Sequence, residues 1–409
     1  MTNATEERNA RRLIWANGLQ NIGDQIVAAK TVLPWLLQAA GAPGFLLALL
    51  VPIRESGSML PQAAMTGWVL RQASRSKVWI IGSNGQFLSA LGIGVAALFL
   101  RGWALGLVVI VLLGVLSLFR AMCSIASKDV QGQVISKGKR GLVTGRATVI
   151  GGAMGLAVGL AIAVFLGADS PSWILATVLI ASSFSWFVAS LIFARIEAPA
   201  QPNTAQRRAN PWVRRCITAL REDKAFRRFV SVRSMMLVTA LSTAFIVGLA
   251  AESNTHIGNL GFFLIASGLA SIIGGRISGI WSDRSSKSVM AGAALFGSIV
   301  LLLVVASSNF APEAVNAIVF PLAFFLITLA HTAIRVARKT YVMDMAEGDA
   351  RTRYVADANT IMGVMLLIVG ALSGAISLLG NETALLFLAV IGLVGALSAR
   401  KLEEVSGES

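Results

Sequence analysis

Blocks of about 20 apolar residues, separated by short polar gaps, constrain this chain more than any single motif in it. At a rise of about 1.5 Å per residue, that is the helix length needed to cross a hydrocarbon core roughly 30 Å thick. Twelve such blocks fall near 13–37, 44–66, 78–100, 104–127, 141–166, 172–194, 229–251, 260–280, 288–307, 314–337, 355–379 and 382–399. Only 13% of residues are charged and 56% are hydrophobic, whereas a soluble domain carries about 25% charged residues. The pattern predicts an all-α membrane protein with twelve transmembrane helices and both termini on one side of the bilayer.

A formal charge of +15 would suit nucleic acid if it were gathered on one soluble face. It is sorted by side instead. Loops on the terminal side carry Arg71, Arg75, Lys77, Lys128, Lys137, Lys139, Arg140, Arg284, Lys287, Arg338, Lys339, Arg351 and Arg353, against Arg101 opposite. Basic residues collect in cytoplasmic loops. Both termini are therefore expected in the cytoplasm, the chain in the inner membrane of a bacterium, and nucleic acid is not expected as a partner. Trp15, Trp68, Trp79, Trp212 and Trp281 fall near the inner edge and read as an interfacial belt. Cys123 and Cys216 read as free thiols.

The longest polar stretch, 195–228, holds Pro199, Pro202, Pro211 and a run of basic residues. It reads as a cytoplasmic linker between a bundle at 1–194 and a second at 229–409. Its part from Trp212 to Lys224 has the makings of a short amphipathic helix on the cytoplasmic leaflet, where each basic residue near anionic lipid contributes about 1 kcal/mol.

The two halves repeat one another. Gly67-Trp68-Val69-Leu70-Arg71-Gln72-Ala73-Ser74-Arg75-Ser76-Lys77 has a counterpart in Gly279-Ile280-Trp281-Ser282-Asp283-Arg284-Ser285-Ser286-Lys287. A constant shift also lays Lys128 on Lys339, Arg140 on Arg351, Arg120 on His331 and Arg146 on Asp357. A duplication of six spans explains these matches together. With twelve spans, a basic middle loop and Gly-x-x-x-Asp-Arg-x-x-Lys at Gly279, Asp283, Arg284 and Lys287, the chain resembles the major facilitator superfamily. That resemblance implies two pseudo-symmetric six-helix bundles and no enzymatic activity. It implies gating roles for Gly67, Arg71, Gly279, Asp283, Arg284, Arg335 and Asp357, with Arg71 standing where the family has an acid. Asp283 would brace the closed cytoplasmic end, either on a helix N-terminus of the other half or on Arg335 or Arg338. Arg120 resembles the family's arginine in span four. Gly151, Gly155 and Gly159 resemble its antiporter motif without the proline, and their spacing equally suits close helix packing.

Charges inside spans carry the chemistry, since each costs about 2.5–3.5 kcal/mol on insertion scales. Asp24, Arg54 and Glu55 fall near mid-membrane, too deep to reach an interface. Arg146, Arg233, Arg276 and Arg335 lie near the cytoplasmic ends, where snorkelling or an ion pair suffices. Asn17, Gln20, Asn21 and Asp24 share one face of span one, and Glu55, Ser58 and Gln62 one face of span two. With Lys30, Arg54 and Arg120 they are expected to line a polar cavity between the halves. Asp24 and Glu55 would carry proton coupling with Arg54 as counter-charge; the rival reading is a fixed Arg54–Asp24 bridge joining two helices. His331 is a further proton-relay candidate, or a satisfied hydrogen bonder. Positions around Met235 and Ile265–Ala266 carry no charge, so the second half is expected to supply apolar and hydroxyl surface.

No Gly-x-x-x-x-Gly-Lys-Ser/Thr loop is present, which excludes an ATP-driven pump of that type. No cluster has metal-site spacing, and no cofactor is expected. Gly23-Asp24 lacks the flanking glycine and second aspartate of an intramembrane protease. The sequence therefore predicts a monomeric, proton-coupled secondary transporter exporting a small organic molecule. Uptake of an organic anion is the alternative, favoured by the excess of cations in the spans. A transport-inactive receptor of the same fold is the third reading.

Overall fold

A computed structural model describes residues 3–27, 32–42, 44–165, 172–199, 211–252 and 260–406. Those residues form helices and connecting turns, with no strand among them. In the first half the helices are α1 (Asn3–Ile26), α2 (Val32–Ala39), α3 (Gly44–Met59), α4 (Gln62–Arg71), α5 (Arg75–Phe99), α6 (Gly102–Val134), α7 (Arg140–Phe165) and α8 (Ser172–Phe193). A linker helix, α9 (Trp212–Glu222), leads to α10 (Lys224–Met235), α11 (Val238–Glu252), α12 (Leu260–Phe310), α13 (Glu313–Asp344), α14 (Gly348–Ile376) and α15 (Asn381–Ala399). The pairs α3/α4 and α10/α11 are each one interrupted pass, and α1 and α2 are the described parts of another. α12 is two passes joined at an extended Ser285. The architecture is twelve passes in two bundles of six, as the apolar blocks predict.

Two of the helix boundaries have a local cause. Pro61 cannot donate a backbone hydrogen bond, so α3 stops and α4 restarts behind it. Asp223 starts α10 by accepting from the Phe226 amide at 2.9 Å.

Two apolar cores lie in the first half and two in the second. The first is built around Leu33, Leu36, Ile93, Leu113 and Trp186, and a second includes Leu13, Val78, Cys123 and Phe193. Their counterparts centre on Leu301, Phe320 and Leu388, and on Phe226, Phe229 and Tyr341. The outside is as apolar as the inside: Leu88, Leu107, Leu191, Leu303 and Leu397 are all more than half exposed. Leaving such side chains in water forfeits about 1.5–3 kcal/mol each, so this surface is made for lipid. Trp79 departs from the expected interfacial belt. It is fully buried and stacks on Phe193 with ring centroids 4.0 Å apart, because α5 turns that face toward α8.

The halves meet along α7 and α12. A Cβ on Gly145 would lie 2.2 Å from the Gly275 carbonyl, and one on Gly152 2.8 Å from that of Gly268. Glycine at these points lets the two backbones touch. Gly151 packs against Asn21 and Gly155 against Gln25, so these two glycines serve helix contact.

Candidate functional site

Both termini and the basic loops lie at one end of the bundle. Glu6 accepts from the Ser136 hydroxyl at 2.7 Å, while Ser406 donates to Asp344 at 3.0 Å and Asp344 pairs with Arg140 at 2.8 Å. This basic end is shut by contacts between the halves. The Asp283 carboxylate accepts from the amides of Gly141 and Leu142 at 2.6 and 2.7 Å. These are the first donors of α7, unsatisfied within the helix and aligned with the positive end of its dipole. A helix N-terminus of the other half thus takes the aspartate; neither Arg335 nor Arg338 does. Gly141 is required there, since a Cβ would sit 2.6 Å from the Gly279 carbonyl.

The pseudo-equivalent position, Arg71, is exposed and braces nothing of this kind; Arg284 is exposed as well. In the first half Arg75 takes over with the charges exchanged. It bonds Asp129 at 3.0 Å and reaches Asp349, in the first turn of α14, at 3.2 Å. Arg351 lies against Gly132, where a Cβ would fall 2.3 Å from the guanidinium.

Asp357 is held by the linker. Arg215 of α9 donates to both its oxygens, at 3.0 and 2.6 Å, and to the Ala63 carbonyl at 2.9 Å. Thr360 accepts from the Ala63 amide at 2.9 Å and donates to the Leu60 carbonyl at 3.0 Å, satisfying the backbone that Pro61 interrupts. Asn359 donates to Gln62 at 2.7 Å and accepts from Arg233 at 2.6 Å. Gln62 therefore serves the contact between the halves. Nothing in a one-dimensional pattern marks Arg215, Asn359 or Thr360; Arg75 lies in the repeated loop segment and Arg140 falls on Arg351 in the repeat.

Deeper in the bundle Asp24 is gripped twice, by Arg54 at 2.6 Å and Arg120 at 2.7 Å. All three side chains are mostly but not fully covered, at 18%, 11% and 23% exposure. Glu55 is half-buried beside Arg54, and both Asp24 and Glu55 act electrostatically on Arg335 from the opposite half. Ser58 turns back to the Glu55 carbonyl at 2.9 Å. His331 shares a 3.2 Å hydrogen bond with Thr239 inside the second half. Lys30 lies outside the described residues.

Next to this centre is a cavity lined by Asn17, Gln20 and Asn21 of α1, by Arg120, Ser124, Lys128 and Gln131 of α6, and by Lys339 and Met343 of α13. Its space for water centres is ≈ 60 Å³, room for about four waters. Asn17 accepts from Ser127 at 2.9 Å and Asn21 donates to the Ala147 carbonyl at 3.0 Å. The second half supplies more here than the expected apolar and hydroxyl surface. Arg233, Arg335, Arg338 and Lys339 all enter the central region, because α10 and α13 turn toward it the faces that carry them. Arg146 and Arg276, grouped with Arg233 and Arg335 by depth alone, are exposed.

No family profile matches the sequence, and no curated protein does. Solved structures do. A proton:xylose symporter, XylE, bound to 6-bromo-6-deoxy-D-glucose is similar with a TM-score of 0.73 at 12% identity, over 100% of this chain and 98% of that one. FucP in its outward conformation, called a fucose:proton symporter of E. coli in a second structure, gives 0.72 at 15% identity over 97% and 98%. A bacterial homologue of the iron transporter ferroportin, in an outward-facing state, gives 0.70 at 13% identity over 97% and 99%. The XylE structure and the outward FucP structure are described as major facilitator proteins, and the architecture of this chain is the major facilitator fold.

Proposed function

We propose that this chain is a secondary active transporter that moves a small organic molecule by alternating access and couples that movement to protons. The basic end is its cytoplasmic end, shut in this conformation. The observation that carries the reading is the double grip on Asp24 by Arg54 and Arg120, at the depth where an unneeded charge is most costly.

One carboxylate there is shared by two guanidiniums. Cargo groups arriving on either arginine compete with Asp24 for the same donors. A carboxylate stripped of cationic partners in a poorly hydrated site takes up a proton more readily. Cargo and proton would then load together, with Glu55 placed beside Arg54 to pass the proton on. The fixed-bridge reading of Asp24 and Arg54 predicts that neither acid affects coupling.

Purified protein in liposomes with an imposed pH gradient separates the two. Asp24→Asn and Glu55→Gln should lose pH-driven uptake while retaining exchange of labelled for unlabelled cargo. Wild-type pH-driven flux in both variants would end the coupling proposal. Of the cargo classes, an organic anion has the specific support: cations outnumber acids around the cavity.

A further inference from the structure

The repeat lays Lys128 on Lys339, and both lysines line the cavity between the halves, one from each bundle. Lys128 donates to the Ser124 carbonyl and hydroxyl of its own helix, at 2.9 and 3.0 Å. Lys339 makes no hydrogen bond or ion pair with any described residue. Lys128 feels the charges of Lys339, Arg233, Arg120 and Arg338, all of one sign. Lys339 feels Arg335, Arg120 and Arg338, opposed by Asp24.

Glu55 acts on Arg335 and Arg338 and is not among the charges felt by either lysine; the other acids nearby are engaged elsewhere. Asp129 and Asp349 face Arg75, Asp344 faces Arg140, and Asp357 faces Arg215. Asp283 is on the α7 amides. Asp24 already serves Arg54 and Arg120. Two donors in the cluster, Nε of Arg233 and Nε of Arg335, are buried without a hydrogen-bond partner, and Arg233 is only 6% exposed. Buried like charges and orphaned donors cost free energy with no structural return. Charged groups kept at such a cost mark binding sites.

We propose that the cavity binds a small organic anion carrying at least two negative charges, seated between Lys128 and Lys339 with Arg120 beside it. This rests on the transporter reading only in making that anion the cargo. Because each lysine belongs to a different half, one dianion ties the halves together at the basic end. It therefore binds the conformation in which the two lysines are close more tightly than one in which they are apart.

The test is the thermal unfolding of the purified full chain at fixed ionic strength. The probes are glycerol 3-phosphate and succinate as dianions, lactate as a monoanion, glycerol as a neutral and tetraphenylphosphonium as a cation. Glycerol 3-phosphate or succinate should raise Tm saturably, and the others should not; which dianion acts separates phosphate from dicarboxylate chemistry. Lys128→Gln and Lys339→Gln should each weaken the apparent Kd at least tenfold, and the double variant should abolish the shift. Ligand-free Tm should hold or rise in the double variant as like-charge repulsion is relieved. A shift from glycerol or tetraphenylphosphonium alone, or a dianion shift that survives in the double variant, overturns the proposal. Engineered cysteines probed from both ends keep the two readings apart. Alternating accessibility without any dianion shift sinks the cargo class and leaves the transporter; a dianion shift with no flux in liposomes does the reverse.

Discussion

An asparagine at position 283 would keep the shape of the aspartate but present one carbonyl oxygen and an NH2 group to two amide donors. The native carboxylate accepts from both, at 2.6 and 2.7 Å, with the α7 dipole adding to its hold. Hydrogen bonds to charged groups contribute about 1.5–3 kcal/mol each, so Asp283→Asn should shift the balance toward an open basic end by tenfold or more. Alkylation of a cysteine placed in the cavity, with reagent supplied at that end, should speed up accordingly; an unchanged rate would remove Asp283 from the closing contact. Cys216 is a native reporter nearby. Burial, and then the carboxylate of Asp357, pushes its thiol up to about 12. Only the thiolate reacts, so its alkylation at neutral pH should be slow and should rise about tenfold per pH unit through the alkaline range. A fast, pH-independent reaction would contradict the packing of α9.

At the scale of elements, α9 is more than a tether. Its outer face shows Trp212, Val213 and Ile217, each more than 40% exposed, an apolar strip suited to the membrane surface. Its inner face sends Arg215 to Asp357 of the second half and the Ala63 carbonyl of the first. One guanidinium thus pins α4 to α14. Arg215→Ala leaves Asp357, almost wholly buried, without its cation, a loss of about 3–5 kcal/mol from the closed arrangement. Arg215→Lys cannot restore the two-pronged contact. Hydrogen exchange in α4 and α14 should rise in both variants, more in the alanine. Equal protection in all three proteins would reduce α9 to a passive connection. The glycines of α7 and α12 act at the same scale, since their missing side chains allow the helices to slide and pivot as units against one another.

For the molecule as a whole, the ion pairs that join the two halves cluster at the basic end. Opening that end means parting Arg140 from Asp344, Arg75 from Asp349, Arg215 from Asp357 and Asp283 from α7. The apolar blocks and their polar gaps made the twelve passes legible in the sequence, and the sorting of Lys and Arg made the basic end legible. Asp24 and Arg54 stood out by depth alone, and they meet. Arg71 stood out by motif and points to solvent, while Arg75, four residues on, makes the contact. The second half was expected to offer mainly apolar and hydroxyl surface because its midpoints were compared by depth, and depth does not say which face of α10 or α13 turns inward. Hydropathy is a property of neighbours along the chain, so the sequence by itself determined spans, sidedness and repeat. Ion pairs form through space, and those that close this protein join residues 204 and 274 positions apart. Only the packing of two bundles against each other decided which cation found an acid and which were left facing the cavity.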